Sequence, residues 1–133
     1  MISSLVCIRP PPRWLRFSTV VLGDAGQMPF PDASFDVVLI SDAWHHFRAQ
    51  EQVAGEVHRV LKPGGRVVVV EFDPRQLKTR IVAALERMVL EPSTFRAPDR
   101  LKDTFAGVGI QGETKAISPT QYVFTGTRQA GSL

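Results

Sequence analysis

GDAGQMPFPDASFDVVLISDAWHHF (residues 23–47) and EVHRVLKPGGRVVVVEF (residues 56–72) decide the fold. Within them, Asp36-Val37-Val38-Leu39-Ile40-Ser41 and Arg66–Phe72 run apolar without alternation, as strands of a parallel sheet do when both faces are covered. Between the two strands, Arg48–Leu61 repeats apolar residues at Val53, Val57, Val60 and Leu61, the period of a helix. Lys62-Pro63-Gly64-Gly65 ends that helix, because glycine takes the left-handed conformation and proline cannot continue the hydrogen-bond ladder. Strand, helix and strand in this order make a parallel crossover.

Upstream, Thr19-Val20-Val21-Leu22 is a short β-branched strand, and residues 23–35 are a Gly/Pro/Asp-rich loop. Leu5–Ile8 is a further short strand, followed by an extended stretch forced by Pro10, Pro11 and Pro12. Downstream, Asp73-Pro74 opens a helix with an N-cap acid and a first-turn proline. Leu77, Ile81, Leu85, Met88 and Val89 line one of its faces, and Pro92 stops it. A shorter helix spans Pro98–Ala106 and is closed by Gly107. Gly112–Ile117 and Gln121–Thr127 flank Ser118-Pro119-Thr120 and read as an antiparallel hairpin. The expected class is therefore α/β, a mainly parallel sheet with a C-terminal antiparallel hairpin. The expected organisation is an atypical head at 1–17, one domain over 18–127 and a tail at 128–133.

The 133 residues carry a formal charge of +3, with 44% hydrophobic and 22% charged residues, an ordinary globular composition. All of the excess charge sits on Arg9, Arg13 and Arg16; the remaining 114 residues hold 13 basic and 13 acidic side chains. A neutral body with three arginines on a short head argues against a nucleic-acid partner. No apolar run reaches the roughly 18 residues of a membrane span, which argues against a membrane partner. Cys7 is the single cysteine, which excludes an intrachain disulfide and a multi-cysteine metal site. Without a disulfide framework the expected compartment is the cytoplasm.

In open parallel sheets ligands bind outside the carboxyl ends of the strands. Those ends are Gly23-Asp24-Ala25, Ser41-Asp42-Ala43 and Glu71-Phe72-Asp73, and each carries polar or acidic residues directly after an apolar run. Three such ends on one rim suit a ligand with donor groups, such as an adenine amine, ribose hydroxyls or an ammonium.

These residues resemble the later motifs of class I S-adenosylmethionine-dependent methyltransferases, closest to the type 11 small-molecule subgroup related to the quinone-biosynthesis methyltransferases. The resemblance covers about residues 18–127. An acid–alanine pair, a Pro-Phe-Pro loop, Phe-Asp before an apolar strand, and Leu-Lys-Pro-Gly-Gly before another strand carry it together. It implies a Rossmann-like methyltransferase fold, S-adenosylmethionine as cofactor and a small-molecule methyl acceptor. Asp24 matches the family acid that takes the adenine amino group, and Ala25 its neighbour, whose backbone amide contacts the ring. Met28 and Phe30 are candidates for an apolar wall. Ser41, Asp42 and Trp44 match the strand end facing the methionyl part of the cofactor. His45 and His46 fall where the family's substrate pocket begins, and they are the candidate general bases. Plainer readings stay open beside these: Asp24 as a turn acid, Trp44 as core, His45 and His46 as pocket-rim residues. His58, beside Arg59 on the polar side of its helix, reads as solvated. The three histidines have no metal-ligand spacing, so no metal is expected.

The family domain opens with a strand, a glycine-rich loop, a helix and a second strand ending in an acid. Residues before Thr19 contain no glycine and no acid, so the chain is expected to carry an incomplete fold that enters at the family's third strand. The functional expectation is an S-adenosylmethionine-dependent methyltransferase acting on a small molecule, active or inactive as this chain alone; the alternative is a non-catalytic module acting through protein–protein pairing. Gly107-Val108-Gly109-Ile110-Gln111-Gly112 spells G-x-G-x-x-G, but a helix precedes it and a strand follows, the reverse of a nucleotide loop. Without the opening strands, Thr19–Leu22 is expected to slide beside Val37–Ile40, or Leu5–Ile8 to fill part of the gap between them. An uncovered apolar edge invites self-pairing, so a homodimer or a partner subunit is expected there.

Overall fold

The computed structural model describes residues 4–7, 20–75, 81, 84–85 and 96–130. Two short strands, β1 (Ser4–Cys7) and β2 (Val20–Gly23), pair antiparallel as a ribbon of their own. The main sheet contains β3 (Phe35–Ser41), β4 (Leu61–Phe72), β5 (Ile110–Ala116) and β6 (Gln121–Arg128), in the order β3-β4-β6-β5. Helices α1 (Gln50–Val60) and α2 (Pro98–Ala106) contribute Val53, Val57, Val60, Leu101 and Phe105 to the core.

The fold is α/β and Rossmann-like, with a mixed sheet. Among the described residues only β3 and β4 pair in parallel; β6 lies between β4 and β5 and runs against both. The core lies on one sheet face. Along β4, Val67, Val69 and Glu71 are fully buried, while Val68, Val70 and Phe72 on the other face are half-buried. Each buried valine contributes about 1.5–3 kcal/mol of apolar transfer. Phe124, Tyr122, Ile110 and Trp44 complete the same layer.

Several expectations change. Val20–Gly23 does not slide beside Val37–Ile40, nor does Ser4–Cys7 bridge the gap to it; the two pair with each other in a sheet of their own. Leu22 is consequently 75% exposed. Continuous apolarity in β3 does not mean cover on both faces: among the described residues Val37 and Leu39 stay 57% and 50% exposed, and β3 is an edge strand. Lys62–Gly65 is not a turn between helix and strand. α1 passes directly into β4, and the register jumps from Phe35 opposite Leu61 to Val37 opposite Arg66. The four residues bulge out of the extended run, and Gly64 takes φ +81° to allow it.

The helix expected after Asp73 falls mostly outside the described residues, including Leu77, Met88 and Val89; Ile81, Ala84 and Leu85 are helical. At Asp73 the side chain closes a turn, the Arg75 N–H donating to Asp73 Oδ1 at 2.9 Å. The misleading G-x-G-x-x-G has a structural account at each glycine. Gly107 caps α2, Gly109 takes φ +87°, and a Cβ on Gly112 would sit 2.1 Å from the Thr125 carbonyl oxygen across the hairpin.

Candidate functional site

The carboxyl ends of β3 and β4 meet the β5–β6 turn on one rim. β5 runs in the direction of β3 and β4, because β6 opposes its neighbours, so the turn at Ile117–Thr120 arrives at the same edge. The Asp42 N–H donates to the Val70 carbonyl at 3.0 Å and the Asp73 N–H to the Thr120 carbonyl at 2.8 Å. Gln121 Nε2 donates to Asp42 Oδ1 at 3.4 Å. Ser41 and Asp42 are exposed, and Asp42 takes φ +53°, a left-handed conformation that aspartate tolerates better than most residues.

Directly after this strand end, Trp44–His46 forms one 3-10 turn. Trp44 is fully buried, its ring 5.0 Å from Phe105 and 5.6 Å from Phe47, which makes it core. Its indole N–H has no hydrogen-bond partner among the described residues. The two histidines separate. His46 is exposed, whereas His45 is buried against Glu71, which is itself completely buried. The His45 N–H donates to Glu71 Oε2 at 2.9 Å, and the Phe72 N–H donates to Oε1 at 2.8 Å. His45 Nδ1 lies 2.8 Å from Oε1. Both carboxyl oxygens already accept from backbone amides, so the ionised carboxylate takes Nδ1 as the donor in this contact.

The sequence places Glu71 at a ligand-facing strand end, whereas the structure buries it completely as the partner of His45. Its signal was there: it lies in phase with Val67 and Val69, so strand alternation already points its carboxylate into the core.

Beside the rim lies a cavity of about 210 Å³, lined by Asp73, Arg75, Asp99, Lys115, Ser118 and Tyr122 among others. Arg75 Nη2 pairs with Asp73 Oδ2 at 2.8 Å, and Tyr122 donates its hydroxyl to the Arg96 carbonyl at 2.6 Å. Burial, and then the negative charges of Glu71 and Asp73, push the Tyr122 phenol far above its ordinary pKa.

The loop after β2 carries the other expected ligand residues. Asp24 is exposed; its Oδ1 accepts from the Gly26 N–H at 2.8 Å and its carbonyl from the Gln27 N–H at 3.0 Å, so it caps its own turn. Ala25 and Met28 are buried in the same core cluster as Ile40 and Trp44, which is what links the loop to the β3 end. Met28 is thus a core residue, and Phe30 is half-buried, edge-on to Phe35 at 5.1 Å. Away from the rim, His58 is half-buried rather than solvated, its ring set against Gly109. Burial, then the charge of Arg128, lowers its pKa. Among the described residues no three His, Cys, Asp or Glu side chains cluster as a metal site. Among them also, no helix is long and apolar enough to cross a membrane.

A crossover sheet with acids and a buried histidine at its carboxyl rim is the Rossmann-like arrangement, in which ligands bind outside the strand ends. Residues 7–69 match the family model described as "Methyltransferase domain". A demethylmenaquinone methyltransferase of Streptomyces griseus is 42% identical over 93 residues, which are 69% of this chain and 39% of that protein. The demethylmenaquinone methyltransferase of Thermus thermophilus is 51% identical over 51 residues, 38% of this chain and 23% of that protein. The chain thus spans well under half the length of these relatives. An S-adenosylmethionine-dependent methyltransferase from Thermotoga maritima shares the fold at a TM-score of 0.69 and 21% identity, covering 80% of this chain and 62% of its own. The matched region belongs to the class I S-adenosylmethionine-dependent methyltransferases, in the type 11 group.

Proposed function

We propose that the chain provides the adenine loop and part of the acceptor rim of an S-adenosylmethionine-dependent methyltransferase acting on a small molecule, a quinone as in the relatives' names. The observation that carries this reading is the fold of residues 23–72. That segment, most of which lies within the region matching the methyltransferase family model, has its exposed acids Asp24 and Asp42 at strand ends and His45 bonded to Glu71 at the rim. The donor chemistry suits the cofactor. Two exposed carboxylates accept from an amine, hydroxyls or an ammonium, and small Ala25 and Gly26 let backbone come close to a ring.

When bound, the cofactor supplies an electrophilic methyl group on a sulfonium sulfur. Asp24 and the Ala25 amide would hold its adenine; Ser41 and Asp42 would hold its polar methionyl end. His45 would serve as the base that takes the acceptor's proton, while Glu71 fixes the ring through Nδ1. His46, exposed and with its ring 4.1 Å from that of His45, would border the acceptor. The rest of the catalysis is positioning.

Calorimetric titration with S-adenosylhomocysteine tests the reading. Binding in the micromolar range, weakened at least about tenfold by Asp24→Ala, a change of about 1.4 kcal/mol, is the expected result. No heat at millimolar ligand overturns it.

A second reading rests on a different observation. β3 is an edge strand among the described residues, and Val37, Leu39 and Leu22 are exposed. Such an edge supports pairing with a second copy or with another subunit, the chain then acting as a non-catalytic module. Light scattering at micromolar concentration separates the cases, and a sharp monomer peak counts against pairing with itself.

A further inference from the structure

The stretch Glu56-Val57-His58-Arg59 stands in the matched region, yet neither Glu56 nor Arg59 lies on the rim or in the cavity. Both turn toward the loop Asp24–Asp32, which has no regular structure beyond a single bridge between Asp24 and Gln27. Gln52, Glu56 and Arg59 follow one another at helical spacings of four and three, so they form a single stripe along α1. Gln52 Nε2 donates to the Gly26 carbonyl at 2.7 Å. The Met28 N–H donates to Glu56 Oε2 at 2.7 Å. Arg59 donates to the Met28 carbonyl at 3.0 Å, to the Phe30 carbonyl at 2.7 Å and to Asp32 Oδ1 at 2.9 Å. Arg59 also forks onto Glu56, Nε to Oε1 at 2.8 Å and Nη2 to Oε2 at 2.9 Å.

The backbone of Gly26, Met28 and Phe30, every second residue, is therefore bonded to α1, and the chain leaves the loop through Ala33 N–H to the Arg59 carbonyl at 2.8 Å. Asp24, Gln27 and Pro29 are left exposed. A loop without a ladder of its own has been given one by a helix side. The electrostatics agree, since the Arg59 guanidinium holds the Glu56 carboxyl below its usual range.

We propose that Gln52, Glu56 and Arg59 are positioning residues for the cofactor's adenosyl end. They touch no ligand; they keep the Asp24–Asp32 loop in the shape that receives one, so that affinity is not spent on ordering it. The inference rests on the reading of that loop as the adenine loop. If loosening the loop reduces the competent fraction to a tenth, apparent affinity falls about tenfold.

Two measurements test it. In ligand-free protein, amide hydrogen exchange at Met28 is expected to be slow and to accelerate at least about tenfold in Glu56→Gln and in Arg59→Ala, while the core amides of Val69 and Phe124 keep their protection. S-adenosylhomocysteine affinity is expected to drop about tenfold in Arg59→Ala and to return in part with Arg59→Lys, which keeps the charge but not the fork. Unchanged exchange at Met28 in both variants overturns the inference. So does an affinity that Arg59→Ala leaves intact. No binding by the unaltered chain overturns the functional reading, and the affinity claim falls with it, whatever the exchange result. Arg59→Lys keeps the test open if Arg59→Ala fails to fold.

Discussion

Replacing Glu71 by glutamine keeps the side chain's shape and turns one oxygen into an NH2. Oε1 accepts from the Phe72 N–H and faces His45 Nδ1; Oε2 accepts from the His45 N–H. With the amide oxygen at the Oε1 place, the new NH2 confronts the His45 N–H, donor against donor. Flipped, it confronts the Phe72 N–H. Either way one backbone N–H loses its acceptor at a position with no solvent exposure. A buried donor left unsatisfied costs about 1–3 kcal/mol, and the surviving bonds lose their charge assistance, so about 2–4 kcal/mol of destabilisation is expected. That is a large share of the roughly 5–15 kcal/mol that holds a domain together. Glu71→Ala orphans both amides and leaves a cavity, and is expected to cost more still.

Urea unfolding at neutral pH, followed by circular dichroism, reads the difference as a shifted midpoint at constant slope. A Glu71→Gln variant within about 0.5 kcal/mol of the parent would refute the reasoning, because that is the scatter of a surface substitution. It would mean that water reaches the carboxylate or that the 3-10 turn at Trp44–His46 holds without it.

Ala33 takes φ +51°, where a side chain is strained, so Ala33→Gly is expected to leave stability unchanged or raise it by up to about 1 kcal/mol, against the usual direction of that substitution; a thermal midpoint lowered by several degrees would contradict this. Tyr122 is the single tyrosine, so absorbance near 295 nm reports its ionisation cleanly. Its folded pKa is raised, so the stability it contributes is complete below the unfolded value of about 10 and is lost as pH rises above it. Tyrosinate is therefore expected to appear together with alkaline unfolding, and ionisation near pH 10 in folded protein would contradict the burial. Glu56 has the opposite sign: its folded pKa is lowered, so its contribution is present above the unfolded carboxylate value and is lost as pH falls through the folded one. Glu56→Gln is expected to flatten the acid limb of stability below about pH 4.5, as urea midpoints at two pH values would show.

Legibility followed regularity. The apolar runs of β3 and β4, the helical period of α1 and the Pro98–Ala106 helix were visible because each repeats a spacing over many residues. Three features were not. Which of His45 and His46 is buried is set by a single 3-10 turn, too short to carry a period. That Met28 is core is hidden because the loop around it reads as Gly- and Pro-rich linker, and its order comes from side chains on α1. The exposure of Val37 and Leu39 could not be read from a run that looks doubly covered, since cover is a property of the elements packed on a strand and not of the strand.

The two halves of the candidate site share a construction. At one end the irregular Trp44–His46 turn is fixed by a carboxylate from β4; at the other the irregular Asp24–Asp32 loop is fixed by a carboxylate and a guanidinium from α1. In both, an acid on a regular element accepts from a backbone N–H that has no partner in a helix or sheet, so α1 and β4 act as a template for segments without a ladder. This accounts for a sequence that keeps Glu71 inside an otherwise apolar strand, and Glu56 with Arg59 beside the buried stripe of a helix. An apolar residue at either place would pack as well but would leave a loop amide buried and unpaired. Each acid therefore holds in place an irregular segment that the sheet and helix cannot pair by themselves.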